Sequence, residues 1–434
     1  MSNGHMPFLK EFSKNNNSGK VKAFLPTFVF PNWSSFWTGT SPAHNEIFSL
    51  YSLPKKYKYD FKLASTKQFN NQNWITKHSN KNRIVTMLNP LNYPSFNGCY
   101  ATIPDQHLME IDKTSYPPNL SEILSRLEVP KSSQFFPPNG LNSIQEIDLF
   151  IEKQTDNIIN NCNVSLNIAK KCSADVMCLH FFATDPLQHV LWHGIDEDHS
   201  QFDEKLRLKL TPFFKAIDNS LKDLLEVTHA KETLMFSLHG FQPVDGVIDL
   251  SKTIQSPQLG SSFLCSEDFL PIKVKKRGIR KFIQIFKNTA KKILKPYLVQ
   301  NNNIFLDVKA IYVKKNKSMD RNISILRKKL TSLIDEKNNA KPILELLTAD
   351  DLYGIKPKNK KWEVLIPIFS SGYTARNKTN FGEKIYRPQI YKEYLSGTHT
   401  HEGIWLCSNK ENTINQKELR VNDIYKIIED IIES

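Results

Sequence analysis

Apolar residues fall along this chain in two spacings. Short runs at Ile84 to Leu88, Val176 to Phe182 and Leu234 to Phe236 are too brief for helices, and each stops at turn chemistry: NPLNYPSFNG, ATDP and SLHG. Between them the spacing changes to three and four. The stretch from about Ser143 to Lys171 and the segment LTPFFKAIDNSLKDLLEVT both carry an apolar helical face, and they lead into the Val176 and Leu234 runs. Strand, helix, strand in repetition predicts an α/β fold, a central mostly parallel sheet flanked by helices on both faces. In such sheets, ligands collect beyond the carboxyl ends of the strands.

After residue 250 the character changes. The segment KVKKRGIRKFIQIFKNTAKKILKPY, Lys273 to Tyr297, is strongly basic, with Ile279, Phe282, Ile283, Ile285 and Phe286 roughly along one side. It reads as a solvated basic helix over an apolar patch, or as a helix making peripheral contact with an anionic membrane. From Asn301 to about Asn380 the chain is rich in Lys and Asn, with one helical pattern over Ile323 to Glu336. These shifts divide the chain into a first core part (1–250), an inserted basic segment or cap (251–380) and a second core part (381–434). There is no internal repeat.

Composition narrows the class. At 434 residues, 40% hydrophobic and 24% charged, the chain is globular rather than disordered. Lys and Arg outnumber Asp and Glu 58 to 44, a formal +14 that suits anionic partners such as phosphate esters, nucleic acid or acidic lipid. No Cys/His finger spacing or RNA-binding aromatic motif supports the nucleic-acid case. The cysteines Cys99, Cys162, Cys172, Cys178, Cys265 and Cys407 are scattered without a CxxC pair and read as reduced thiols. No run approaches the roughly 18 apolar residues of a membrane span, and the N-terminus lacks the apolar centre of a secretory signal, so a cytoplasmic location is expected.

The chemistry concentrates in Phe181 to Asp196, FFATDPLQHVLWHGID. Asp185 and His189 stand four residues apart at the start of a helical turn, on one face, where they can share a cation. His193 continues that face as a ligand or a packed neighbour. Two further segments, FSLHGF with His239 and LSGTHTHEGI with His399 and His401, place imidazoles in Ser/Gly-flanked turns. Glycine permits the close backbone that metal and oxyanion sites often need.

These segments together resemble the type I phosphodiesterase/nucleotide pyrophosphatase family of the alkaline phosphatase superfamily. The family's TxPxWtSfxTGxxPxxHG, DxxxHxxW, SDHGF and SGxHxxxG stretches are matched in order by VFPNWSSFWTGTSPAHN from Val29, DPLQHVLW from Asp185, SLHGF from Ser237 and SGTHTHEG from Ser396. VTMLNPLNYP from Val85 and TSYPP from Thr114 resemble the family's prokaryotic branch. The resemblance implies an alkaline phosphatase-like core and a site for two divalent cations, usually zinc, that polarise a phosphoryl group. One ligand set falls on Asp185, His189 and His399, with His401 a nearby alternative.

The other set departs from the pattern. The Asp of SDHGF is Leu238, leaving His239 alone, and the nucleophile position is Val29, which has no hydroxyl. Thr27 is a weak substitute two residues earlier, and Ser34 and Ser35 match positions that are not nucleophiles. Asn32 matches a residue that can bond a phosphoryl oxygen. His44 matches the HG turn, where Asn45 replaces the glycine. Trp33, Trp37 and Trp192 are expected to pack the site walls. The family also opens with a strand ending in Asp-Gly, whereas NGHMPFLKEF resembles the segment that follows it.

The resemblance therefore implies a divergent protein, impaired or inactive as a two-metal phosphodiesterase. At most one ion, zinc or similar, would bind or slowly hydrolyse a phosphate- or sulfate-type ester. The alternative is a structural or regulatory pseudoenzyme whose basic surface meets an anionic partner.

Overall fold

The computed structural model describes residues 4–52, 62–69, 72–89, 98–104, 141–259, 263–265, 303–307, 309–379, 382–388, 395–408 and 418–434. The basic segment Lys273 to Tyr297, the TSYPP stretch and most of NPLNYPSFNG lie outside the described residues. Two compact units are present. The first is Met1–Ser41, Ser65–Asp245 and Pro388–Ser434, and the second is Pro42–Ala64 and Gly246–Arg387.

In the first unit, strand Ile84–Asn89 lies between Ala101–Pro104 and Val176–Leu179, all parallel. A second sheet runs in the order Glu418–Arg420, Asn17–Lys22, Glu402–Cys407, Leu234–Phe236. Its first pair is parallel and the others antiparallel. The helices Ile144–Cys172 and Glu204–Thr228 pack on each other, burying Phe150, Ile158, Leu210 and Phe213. Each begins at a side-chain cap. Ser143 accepts from the N–H of Glu146, and Asp203 from those of Lys205 and Leu206. That second cap explains why the helix starts at Glu204, ahead of the apolar pattern that opens at Leu210.

Helix Val29–Thr38 is buried almost all round. Trp33 meets Phe36 edge-on at 5.1 Å, Trp37 stacks on Trp74 at 5.7 Å, and Phe36 lies 5.0 Å from Phe236. Trp33 and Trp37 thus pack within the aromatic core around this helix. The helix ends at Gly39 with φ 68°, where a Cβ would also sit 2.8 Å from the Tyr425 ring.

The second unit is built on a five-stranded sheet in the order Leu264–Cys265, Ile304–Asp307, Ala310–Lys314, Trp362–Phe369, Ile343–Thr348. Helix Met319–Thr331 covers it through Ile323, Leu326 and Leu330. This helix starts and ends earlier than the predicted Ile323 to Glu336. Asp335 is withdrawn from it, accepting from Tyr373 Oη at 2.6 Å and from Arg387 at 2.7 Å. Asn45 closes the short helix Pro42–Asn45, and the left-handed residue is the next one, Glu46, with φ 56°.

The opening segment forms helix Pro7–Asn15, whose N-cap, Met6, supplies no side-chain bond. Its cap comes from far away. The buried carboxylate of Asp218, on helix Glu204–Thr228, accepts from the N–H groups of Phe8 at 2.9 Å and Leu9 at 2.8 Å. Two donors that a helix start leaves open are thereby satisfied. Asp218→Ala is expected to cost about 1–3 kcal/mol, read as a lower urea midpoint, with loss of amide protection confined first to residues 7–15.

Candidate metal centre

Asp185 and His189 occupy the first and last turns of helix Thr184–Leu191, which follows strand Val176–Leu179 after a short turn. His399 comes from strand Gly397–Thr400, which pairs antiparallel with Gly240–Pro243 so that His399 faces Phe241. One ligand atom each from Asp185, His189 and His399 lie within 4.8 Å of one another. His399 Nε2 stands 2.9 Å from Asp185 Oδ1, and His189 Nε2 stands 3.7 Å from Asp185 Oδ2.

The backbone decides which nitrogen each imidazole presents. His189 Nδ1 lies 2.9 Å from the carbonyl of Gly397, and His399 Nδ1 lies 3.0 Å from the carbonyl of Thr27. A carbonyl only accepts, so both Nδ1 atoms carry hydrogen and both Nε2 atoms turn to the carboxylate. Metal-binding histidines are commonly held in this way, with the far ring N–H given to a carbonyl. A neutral Nε2 and a carboxylate oxygen each offer a lone pair, so their 2.9 Å approach calls for positive charge between them. A proton or a divalent cation meets that need, and two imidazoles with one carboxylate are a donor set zinc accepts, with bonds of about 2.0–2.2 Å. Burial alone would raise the Asp185 carboxyl. The neighbouring imidazoles of His189 and His399, with the hydrogen bond to His399, instead hold it well below the usual carboxylate range.

His239 contributes no atom to this cluster. Its ring stacks on His399 at 3.7 Å between centroids, and its Nδ1 donates to the carbonyl of Gly240 at 3.2 Å. Burial, together with the neighbouring His399, pushes this imidazole well below its ordinary value. Phe241 sets its face or edge against His189 at 4.9 Å and His399 at 5.0 Å, and Trp192 lies against Phe241 at 5.6 Å.

Ser396 joins the helix to the strand. Its N–H donates to the carbonyl of His189 at 2.7 Å, and its Oγ accepts from the N–H of His193 at 2.8 Å and lies 2.8 Å from His193 Nδ1. His193 is therefore a packed neighbour. Gly397 lets the two elements meet, because a Cβ there would come within 2.6 Å of the Gln188 carbonyl.

The remaining candidates are placed as follows. His401 is exposed in the turn beyond Thr400 and stands outside the cluster of Asp185, His189 and His399, while its carbonyl accepts from Ala23 N–H at 2.7 Å. Thr27 approaches His399 through its carbonyl. Val29 is half-buried at the first position of its helix, and Leu238 is buried. Asn32 is fully buried; its Oδ1 accepts from Phe24 N–H at 2.7 Å and its Nδ2 donates to the Phe28 carbonyl at 2.9 Å. Its amide holds the backbone of residues 24–28. Sequence reasoning missed the orienting carbonyls of Thr27 and Gly397, since a backbone atom has no residue type to betray it.

A family model described as type I phosphodiesterase/nucleotide pyrophosphatase matches residues 1–380. Among solved structures, phosphonoacetate hydrolase from Sinorhizobium meliloti 1021 in complex with phosphonoformate shares 14% identity, over 99% of this chain and 91% of that one, with a TM-score of 0.54. Murine ectonucleotide pyrophosphatase/phosphodiesterase 5 shares 11% identity over 99% of this chain and 90% of that one, with a TM-score of 0.50. At these identities the likeness establishes the fold, an alkaline phosphatase-like α/β architecture. No curated protein matches the chain in sequence.

Burial, with the nearby His199 charge, pushes His193 down to about 4, against an opposing pull from Asp203. The unfolded chain takes up this proton near pH 6.5, so stability should fall as pH drops from about 6.5 to about 4, by up to roughly 1.4 kcal/mol per unit. In urea titrations across that range, His193→Gln should flatten the slope.

Proposed function

The chain belongs to the type I phosphodiesterase/nucleotide pyrophosphatase family, and from that premise we propose that it holds a single divalent cation, zinc or similar, at Asp185, His189 and His399. There it binds a phosphate-type ester, and it is impaired as a two-metal phosphodiesterase. The observation that carries this reading is the pair of Nδ1–H donors fixed on the Gly397 and Thr27 carbonyls, which aims both Nε2 atoms at the Asp185 carboxylate. A donor set turned inward in this way is arranged for a cation rather than for packing.

The other half of the family's machinery is chemically changed. Leu238 offers no oxygen, and Val29 offers no hydroxyl, so no phosphorylated side chain forms at that position. A cation at the retained set would supply Lewis acidity to a phosphoryl oxygen and lower the pKa of water toward 7. The chain's own residues do the positioning. Thr27 and Gly397 orient the imidazoles, and Phe241 and Trp192 exclude water from one side of the cluster. Ser396 keeps helix and strand in register. Phosphate-type anions are the ligand class proposed because two of the similar structures were solved with phosphonoformate and with AMP.

Elemental analysis of the purified protein should find about one equivalent of zinc or a comparable ion, lost in an Asp185→Ala/His189→Ala double variant. Calorimetric titration with AMP should show binding that weakens at least tenfold in the same variant. Two equivalents of metal, or none after supplementation, would overturn the reading.

A further inference from the structure

Ser396 is almost fully buried, and its polar atoms are engaged on three sides. Its N–H donates to the His189 carbonyl at 2.7 Å, and its own carbonyl accepts from the Val244 N–H at 3.2 Å. The same carbonyl accepts from the His199 ring. His199 Nδ1 already accepts from the Gln201 N–H at 3.0 Å, so it is Nε2 that carries the hydrogen reaching Ser396. The hydroxyl belongs to His193, whose backbone N–H and ring Nδ1 both lie 2.8 Å from Ser396 Oγ. These two histidines stand outside the cluster of Asp185, His189 and His399, with their rings 5.9 Å apart.

The residue after Ser396 shows what this grip is good for. His189 is held from both ends by consecutive residues, its main-chain carbonyl by the Ser396 N–H and its ring Nδ1 by the Gly397 carbonyl at 2.9 Å. Gly397 has no side chain with which to fix itself, and none would fit. A Cβ there would stand 2.6 Å from the Gln188 carbonyl and 2.8 Å from Trp192 Cβ. Its ladder partner is Pro243, which has no N–H to offer the Gly397 carbonyl. The carbonyl that aims His189 therefore depends on its neighbour for its place. Ser396 is that neighbour, and His193 holds the one side-chain atom Ser396 possesses.

We propose that His193 is a positioning residue of the metal centre. By clamping the Ser396 hydroxyl it fixes the Gly397 carbonyl and, through it, the direction in which His189 Nε2 points. His199 supports Ser396 from the carbonyl side. This inference rests on the metal reading above and adds to it a residue that is not itself a ligand. Outer partners of this kind set how well a ligand is presented, and their loss shows in metal affinity before it shows in the fold.

Cobalt(II) is the probe, taken by nitrogen and oxygen donors of this kind and visible by its absorption. The full wild-type chain should bind one equivalent, with a visible band that is absent from the Asp185→Ala/His189→Ala variant. His193→Phe keeps the backbone N–H and fills the space but removes Nδ1, so it should weaken cobalt binding about 10- to 100-fold and alter the band. His193→Asn returns a polar atom near the place of Nδ1 and should recover both. Ser396→Ala removes the hydroxyl without crowding and should show the same loss, which carries the test alone if the bulkier variant does not fold. The His193→Phe/Ser396→Ala double variant should lose no more than either single one, since both break the same chain of contacts. A histidine that only packs would lower Tm and leave cobalt affinity and band unchanged, and that result overturns the inference. So does a double variant whose losses add, or a His193→Asn no better than His193→Phe. A wild-type chain that shows no band defeats the metal reading itself, and this inference falls with it.

Discussion

The 2.9 Å approach of His399 Nε2 to Asp185 Oδ1, with His399 Nδ1 held on the Thr27 carbonyl, is the interaction on which the site in the first unit depends. A proton or a cation between Nε2 and the carboxylate makes such a contact attractive in a buried setting. The surrounding chain enforces it. One carbonyl from the segment before the Val29 helix fixes the His399 ring, one from strand Gly397–Thr400 fixes His189, and a serine hydroxyl pins that strand to the helix carrying Asp185. Three separate parts of the sequence, Thr27, Asp185–His193 and Ser396–His399, cooperate to hold these electronegative atoms together.

Much of this was legible beforehand, and the reasons differ by residue. Asp185 and His189 announce themselves because a four-residue spacing puts two side chains on one helical face. His399 carries a weaker local signal, an imidazole in a Ser/Gly-flanked turn, and since its partners are more than 200 positions away in sequence, its place in the ligand set came from the resemblance. The stacking of His239 on His399 follows from how the Gly240–Pro243 and Gly397–Thr400 strands pair, a long-range register that no local pattern encodes. Helix boundaries failed where a polar residue had a distant partner, as at Asp335, and succeeded where the cap was local, as at Ser143.

Where this chain departs from the family's SDHGF pattern, the local packing is nonetheless complete. Leu238 stays buried in the turn that once needed a carboxylate in the family pattern, and Gly240 still approaches the Glu402 carbonyl closely, where a Cβ would stand 2.2 Å away. Asn32, expected to face a phosphoryl oxygen, gives its amide to the backbone of residues 24–28 instead. Fold and site chemistry are separable in this way, since packing constrains the backbone while the side chains at a site can differ.

Strand Asn17–Lys22 has as its only two ladder neighbours among the described residues Glu402–Cys407 and Glu418–Arg420, so the beginning of the chain is completed by its end. A ribosome emits the first strand long before either neighbour exists. The amino-terminal helix waits as well, since Asp218 caps it from about 210 positions downstream. Pairings of such long sequence separation are slow to form, so strand Asn17–Lys22 stays without its described ladder partners until Glu402–Cys407 and Glu418–Arg420 have been made.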